Sequence, residues 1–157
     1  MKNKEYNFEN FKVNKGNKLA FTASKDIVKE PGKKYSPLFI SGNSLERIHL
    51  LQAITNALEE SNYKVSYNIN EITNDTNVLI IDEIENLSSE DQNKLIEIIK
   101  DYISNKKQII LGSNIPLDEL NINEELKDNI LWGISVNIEE DSNETNNEKL
   151  KDYNWLE

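Results

Sequence analysis

The chain has 157 residues and a formal net charge of −10, with 37% hydrophobic residues, 29% charged residues and no cysteine. This length suits one domain with a sizeable core, and the lack of cysteine excludes disulfides and thiolate metal sites. The net negative charge argues against direct DNA binding, because such binding depends on neutralising phosphates with lysine and arginine. Since no apolar run is long enough for a membrane span and no apolar signal segment follows Met1, we expect a cytoplasmic protein.

Five short apolar or β-branched runs are separated by segments of helical spacing. Strands that alternate with helices and are apolar on both faces are typical of a parallel sheet covered on each side. We therefore predict an α/β fold with a five-stranded parallel sheet flanked by helices. The runs comprise residues 37–41, 64–69, 77–82, 107–113 and 132–138.

Apolar residues at helical intervals predict the helices between these runs. The third helix begins with Ser88 and Asp91 in capping-box spacing, and Pro116 opens a fourth, weaker pattern. Two lysine-bearing segments, residues 14–18 and 30–36, are expected to be solvated loops. The helical segments are residues 17–30, 45–60, 88–106 and 117–131.

The last nineteen residues differ in character from the rest of the chain. Residues 139–157 hold seven acidic and two basic residues, and Trp155 and Leu156 follow only near the end. We predict a folded core over residues 1–138 and a solvated acidic tail over residues 139–157. Trp155 either docks on the core or forms a linear motif for a partner.

The segment after the first predicted strand has the layout of a phosphate-binding loop, G-x-x-x-x-G-K-[ST], with its key residues replaced. Such a loop wraps backbone N–H groups around phosphates, while its lysine reaches them and its hydroxyl binds Mg²⁺. Counted back from His49, Ile48 takes the hydroxyl position, Arg47 the lysine position and Glu46 the second glycine position. The loop is also one residue short, since three residues instead of four follow Gly42. These three are Asn43, Ser44 and Leu45.

Several blocks resemble, in order and spacing, the AAA+ domain of the bacterial replication initiator DnaA family. The resemblance covers roughly residues 5–139 and implies a P-loop NTPase-like sheet of five parallel strands. The opening block and the "PLFISG…HLL" block carry most of its specificity. The blocks are "YNFENFKVNKGNKLAFTAS", "YSPLFISG…HLLQAI", "VLIIDEIENL", "KQIILGSNIPLDEL" and "LKDNILWGISVNI".

The resemblance assigns positions to the remaining candidate site residues. It implies that Asp82 and Glu83 are the Walker B pair, and that Asn114 takes a sensor-like position. Asn129 stands where the family has an arginine finger, and asparagine has no charge with which to stabilise a transition state. The alternative for Asp82 and Glu83 is a structural role at a strand end.

Other positions matched by the resemblance also have structural alternatives. Phe8, Phe11 and Val13 match the segment that covers adenine in the family, or they attach the N-terminal segment to the core. His49 is expected to pack or to hydrogen-bond rather than to bind a metal, because no cysteine or carboxylate pattern surrounds it. Trp132 is expected in the core.

Two parts of the family pattern have no counterpart in the sequence. Only residues 70–76 separate the second and third predicted strands, where the family has helices used for filament assembly and single-stranded DNA. The sequence also ends where the family's helical lid would begin. Unless the chain is a piece of a longer protein, we therefore expect no recognition of origin DNA.

Together the substitutions predict a pseudo-ATPase with no catalytic residues, no metal and no required cofactor. Binding of ATP or ADP is possible but disfavoured. The implied role is a protein-interaction module that regulates replication initiation, with DnaA or another AAA+ replication protein as partner. The alternatives are an adenine-nucleotide switch without efficient hydrolysis and a DnaA-related nucleic-acid-binding protein.

A structural prediction follows for the altered loop. Asp82, Glu83 and Glu46 would crowd one pocket with negative charge, and Arg47 is the one cation that the local sequence offers. We predict that its guanidinium pairs with Asp82 or Glu83, and that Asn43 or Ser44 caps the following helix.

Overall fold

The computed structural model describes residues 5–139 of the chain. In this part, five parallel strands form one sheet in the order β2-β3-β4-β1-β5, which confirms the predicted fold class. No described helix is both long and apolar enough to cross a membrane. The strands are β1 (Leu38–Gly42), β2 (Val65–Ser66), β3 (Val78–Ile81), β4 (Gln108–Ser113) and β5 (Ile134–Ile138), and the α-helices are α1 (Lys18–Lys29), α2 (Ser44–Glu60), α3 (Ser89–Ser104) and α4 (Glu124–Ile130).

Alternate residues of the central strands pack on opposite sides of the sheet, as the twofold period of a strand requires. In β1, Leu38 and Ile40 join the apolar cluster formed with α1 and α2. Phe39, between them, joins the cluster formed with α3 and α4. The sheet is therefore the middle layer of three, and each of its faces contributes to its own core.

The helix starts follow the sequence signals. Asn43 accepts hydrogen bonds from the backbone N–H groups of Leu45 and Glu46 at the start of α2, so Asn43, of the two candidates, provides the cap. Ser88 accepts from the Asp91 N–H at the start of α3, as its capping-box spacing predicts.

Three sequence predictions were wrong. The strand predicted over residues 64–69 is only the two-residue β2. The helix predicted over residues 117–131 is instead a short 3₁₀ turn followed by α4, which begins after the capping residue Asn123. Trp132 was predicted in the core, but 57% of its surface is exposed, because it lies in the turn between α4 and β5. The predicted acidic tail lies outside the described residues from position 140 onward.

Parallel strands end at the same edge of a sheet, and this edge gathers the residues of interest. The neighbours β3, β4 and β1 end at Ile81, Ser113 and Gly42. Asp82 follows β3 directly, and the loop from Gly42 leads into α2. The fold therefore brings residues that are far apart in sequence to one carboxyl edge.

Candidate functional site

Arg47 is the centre of the carboxyl-edge site. Its side chain is completely buried, with 0% of its surface exposed. It lies in the first turn of α2, one turn before Leu50 and Leu51, on the same buried stripe of the helix. The helix therefore directs the guanidinium towards the sheet.

The guanidinium forms a bidentate pair with Asp82. Nε donates to Asp82 Oδ1 at 2.9 Å, and Nη2 donates to Oδ2 at 3.2 Å. Gly112 on β4 makes room for this carboxylate, because an added Cβ there would overlap Asp82 Oδ1. The prediction that Arg47 pairs with Asp82 or Glu83 is confirmed, and Asp82 is the partner.

The third guanidinium nitrogen binds oxygen atoms at the ends of two strands. Nη1 donates to the backbone oxygens of Gly42 at 2.7 Å and of Ser113 at 3.1 Å, and to Asn114 Oδ1 at 3.1 Å. All three nitrogens of Arg47 thus donate hydrogen bonds inside the protein. The side chain connects the ends of β1, β3 and β4.

Asn114 extends this network to Glu85. Its backbone N–H and its side-chain Nδ2 both donate to Glu85 Oε2, at 3.0 and 2.8 Å. Partial burial raises the pKa of the Glu85 carboxyl, but hydrogen bonds from its own backbone, Asn114 and Ser113 outweigh this effect, so its pKa lies below its usual value. The residue at the sensor-like position therefore links one buried cation to a stabilised carboxylate.

Residues of the loop between β1 and α2 make contacts that hold the loop in place. Gly42 has a φ of 97°, and an added Cβ would overlap the backbone oxygen of Ile138, so glycine is required here. Asn43 caps α2, and Glu46 accepts a hydrogen bond from Asn17 Nδ2. Asn17 is itself the buried N-cap residue of α1, so Glu46 links the starts of α1 and α2.

The remaining candidates are not gathered around the guanidinium. Ile48 and Glu83 are exposed, and Glu83 has left-handed backbone angles, φ 53° and ψ 48°. Ser44 is the exposed first residue of α2. Asn129 is buried in α4, which leads into the opposite, amino-terminal edge of the sheet, and its Nδ2 has no hydrogen-bond partner among the described residues.

The N-terminal segment packs against α1 and α2. The rings of Phe8 and Phe11 lie 5.9 and 5.6 Å from the ring of Phe21, centroid to centroid. His49 Nε2 lies 2.9 Å from the backbone oxygen of Asn7, as the hydrogen-bonding alternative for this residue predicts. Val13, the third position of the adenine-side match, is exposed. These contacts favour attachment of the segment as the role of the two phenylalanines.

The central parallel sheet, with a loop from β1 into α2 and an acidic residue after β3, defines a protein of the P-loop NTPase class. The same fold occurs in the crystal structure of DnaI, with a TM-score of 0.68 at 17% identity over 85% of this chain and 88% of that chain.

Closer relatives identify the particular group. The model of the bacterial DnaA ATPase domain matches residues 2–75. The chromosomal replication initiator protein DnaA of Streptococcus mutans is 32% identical over 98% of this chain and 41% of its own length. A structure of the replication initiator DnaA bound to AMPPCP and single-stranded DNA has a TM-score of 0.82 at 32% identity, over 97% of this chain and 56% of that one. The chain is a DnaA-like AAA+ domain, and it spans about 40% of the length of that curated relative.

Sequence reasoning identified Arg47, Asp82 and Asn43 but missed three other members of the site. Glu85, Asn17 and the backbone oxygen of Ser113 come from separate elements and carry no spacing signal. The burial of Arg47 has a signal in the sequence, because the residue falls on the apolar stripe of α2. A charged residue on a buried stripe requires partners.

Proposed function

We propose that this DnaA-like domain is a pseudo-ATPase that acts as a protein-interaction module in the regulation of bacterial replication initiation. The observation that carries the proposal is the buried Arg47, whose guanidinium binds Asp82 and the ends of β1 and β4. In a working P-loop site a lysine reaches the phosphates, and the acidic residue after the third strand serves the metal. Here the two corresponding side chains bind each other.

The local backbone also supports this proposal. A helix N-terminus binds phosphate through free N–H groups and a favourable dipole. In α2, the Asn43 side chain accepts from the N–H groups of Leu45 and Glu46, and the Glu46 carboxylate already supplies an anion to the first turn. A nucleotide would have to displace the cap and to approach a negative charge.

An exposed apolar pair supports a role in protein binding. Leu131 and Trp132 follow α4 directly, with 61% and 57% of their surfaces exposed. Tryptophan is enriched among the residues that dominate binding energy at protein interfaces. We propose that this pair contacts the partner, which is DnaA or another AAA+ replication protein.

Isothermal titration with ATP and ADP, each with and without Mg²⁺, tests the first part. We expect no heat of binding and no hydrolysis, and Asp82→Asn should behave like the parent chain. Magnesium-dependent turnover that disappears in Asp82→Asn would contradict the proposal, and binding without turnover would favour the nucleotide-switch alternative.

Binding to purified DnaA from the source organism tests the second part. We expect Trp132→Ala to weaken binding by at least about 30-fold, the size expected of a hot-spot residue. Tyr67→Ala is the matched control, because Tyr67 is an exposed aromatic residue elsewhere on the surface. Equal losses in both variants, or no binding by the parent chain, would contradict the assignment of this surface.

A further inference from the structure

The lysines of this acidic chain are concentrated around α1. Residues 12–34 hold seven lysines and two acidic residues, a net charge of +5 in a chain of net charge −10. The two lysine-bearing segments noted in the sequence flank this helix, and all seven lysines are exposed. We call this surface the basic face. It comprises Lys12, Lys15, Lys18, Lys25, Lys29, Lys33 and Lys34.

The basic face has a row of charge along α1 and two exposed apolar residues close to the start of this helix in the sequence. Lys18, Lys25 and Lys29 lie within about 40° of one another around α1 and span about 16 Å along it. Leu19, with 76% of its surface exposed, and Val13 supply apolar area. The only aromatic ring in residues 12–34, that of Phe21, lies beneath the Lys25 ammonium, at 5.6 Å from its centroid.

This composition fits a short acidic peptide better than a nucleic acid. Single-stranded nucleic acid is usually held by exposed aromatic rings on which bases stack, and no ring in residues 12–34 is exposed. A duplex would extend beyond the row of about 16 Å onto the surface of a chain that is acidic elsewhere. A short segment with several carboxylates and one or two apolar residues would match both the lysines and Leu19.

Strand β5 leads the chain to this face. The Glu139 N–H donates to the backbone oxygen of Gly16 at 2.9 Å, and an added Cβ at Gly16 would overlap Glu139. The described part of the chain therefore ends beside the lysines at the start of α1. Eighteen residues can span up to about 60 Å, which exceeds the length of the lysine row. Residues 140–157 carry six acidic and two basic residues together with Tyr153, Trp155 and Leu156.

We propose that the basic face binds residues 140–157 of the same chain, with carboxylates against the lysine row and Trp155 against Leu19 and Val13. Exposed ion pairs are individually weak, but a short tether raises the effective concentration into the millimolar range. The bound state is therefore sensitive to salt, and an acidic surface of another protein competes with it. This inference is independent of the pseudo-ATPase proposal, because it uses no residue of the carboxyl-edge site.

Trp155 provides the measurement. In the full chain, Trp132→Phe leaves Trp155 as the only tryptophan. We expect acrylamide to quench it less at about 20 mM salt than at about 500 mM, where charges are screened. Adding Lys25→Glu and Lys29→Glu should lower the equilibrium constant for binding of residues 140–157 about twofold to tenfold. Acrylamide should therefore quench Trp155 more strongly in this variant at low salt. Lys64→Glu with Lys127→Glu is the matched control, since it makes the same charge change outside the basic face.

Zero-length carbodiimide cross-linking identifies the occupant. We expect intramolecular links from Lys18, Lys25 or Lys29 to carboxylates of residues 140–157, with a yield that does not change on dilution. Three results would overturn the proposal: quenching at low salt equal to that of the free peptide 140–157, links mainly between copies of the chain, or duplex DNA that binds through these lysines without changing Trp155 quenching.

Discussion

At the scale of single residues, one arginine occupies the place where the P-loop class handles phosphate. Arg47 carries a planar fork of donors that a lysine lacks, so it binds the Asp82 carboxylate with two nitrogens and leaves the third for strand ends. A buried charge is tolerated only with such partners. Arg47 therefore forms a structural connection between the ends of three strands.

Arg47→Ala should lower the free energy of unfolding by about 1–3 kcal/mol, because it leaves Asp82 and two strand-end carbonyls without their donor. Chemical denaturation measures the change, and Lys64→Ala, at an exposed lysine, is the control. In a double-mutant cycle, Asp82→Ala should cost less in the Arg47→Ala background than in the parent chain. Additive losses would show that the two side chains do not interact.

His49 should titrate below the ordinary histidine pKa of 6.5, because burial lowers its pKa more than the contact with the Asn7 backbone oxygen raises it. The unfolded chain therefore binds more protons near this pH, so stability should fall as the pH is lowered through about 6.5. As His49 is the only histidine, its ring proton signals in an NMR titration report the value directly. A midpoint above 6.5 would contradict the environment described here.

At the scale of secondary-structure elements, the start of α2 connects the sheet to α1. The helix keeps its place after β1, but its first turn is closed by Asn43, and Glu46 ties it to Asn17 at the start of α1. The altered loop therefore stabilises the junction of two helices. The loop ends β1 and positions α2 so that the Arg47 side chain points towards the sheet.

Asn43→Ala should destabilise the fold by about 1 kcal/mol, because two N–H groups at the start of α2 lose their acceptor. Ser44→Ala is the matched control: Ser44 is the neighbouring exposed residue, and its substitution should change stability by less than about 0.5 kcal/mol. Thermal or chemical unfolding compares the two. Equal effects would mean that Asn43 does not act as the cap.

At the scale of the whole molecule, each sheet face has its own apolar cluster, and both clusters are built from residues 11–138. The segment proposed to bind the basic face would do so through exposed, screened charges. Loss of this binding should therefore change the stability of the folded core very little.

Deletion of residues 142–157 should shift the melting temperature by less than about 4 °C at moderate salt, equivalent to about 1 kcal/mol for a chain of this size. Scanning calorimetry of the two chain lengths measures the shift. A much larger drop would show that Trp155 and Leu156 complete one of the two cores.

The sequence by itself determined the parallel sheet and the helical layers on both of its faces, and it predicted an altered phosphate-binding loop after the first strand. Strand runs and helical stripes are local patterns, and the carboxyl ends of parallel strands must share an edge. From this edge and the local charges, the pairing of Arg47 with Asp82 or Glu83 could be predicted, and the structure decided for Asp82. The resemblance to the DnaA family also rests on local blocks of sequence.

Only the tertiary structure decided which atoms complete the site and which apolar residues remain exposed. Glu85, Ser113 and Asn17 join the network through strand order and helix packing, which no spacing within one segment encodes. Trp132 was predicted in the core because it adjoins a strand and matches the family. It lies in a turn, where burial depends on whether another element packs over it, and it is exposed. The lysines of the basic face lie in one segment of the sequence, but only the contact of Glu139 with Gly16 places the end of β5 beside them. These outcomes depend on contacts between residues distant in sequence, and their free energies are set by three-dimensional neighbours that local patterns do not specify.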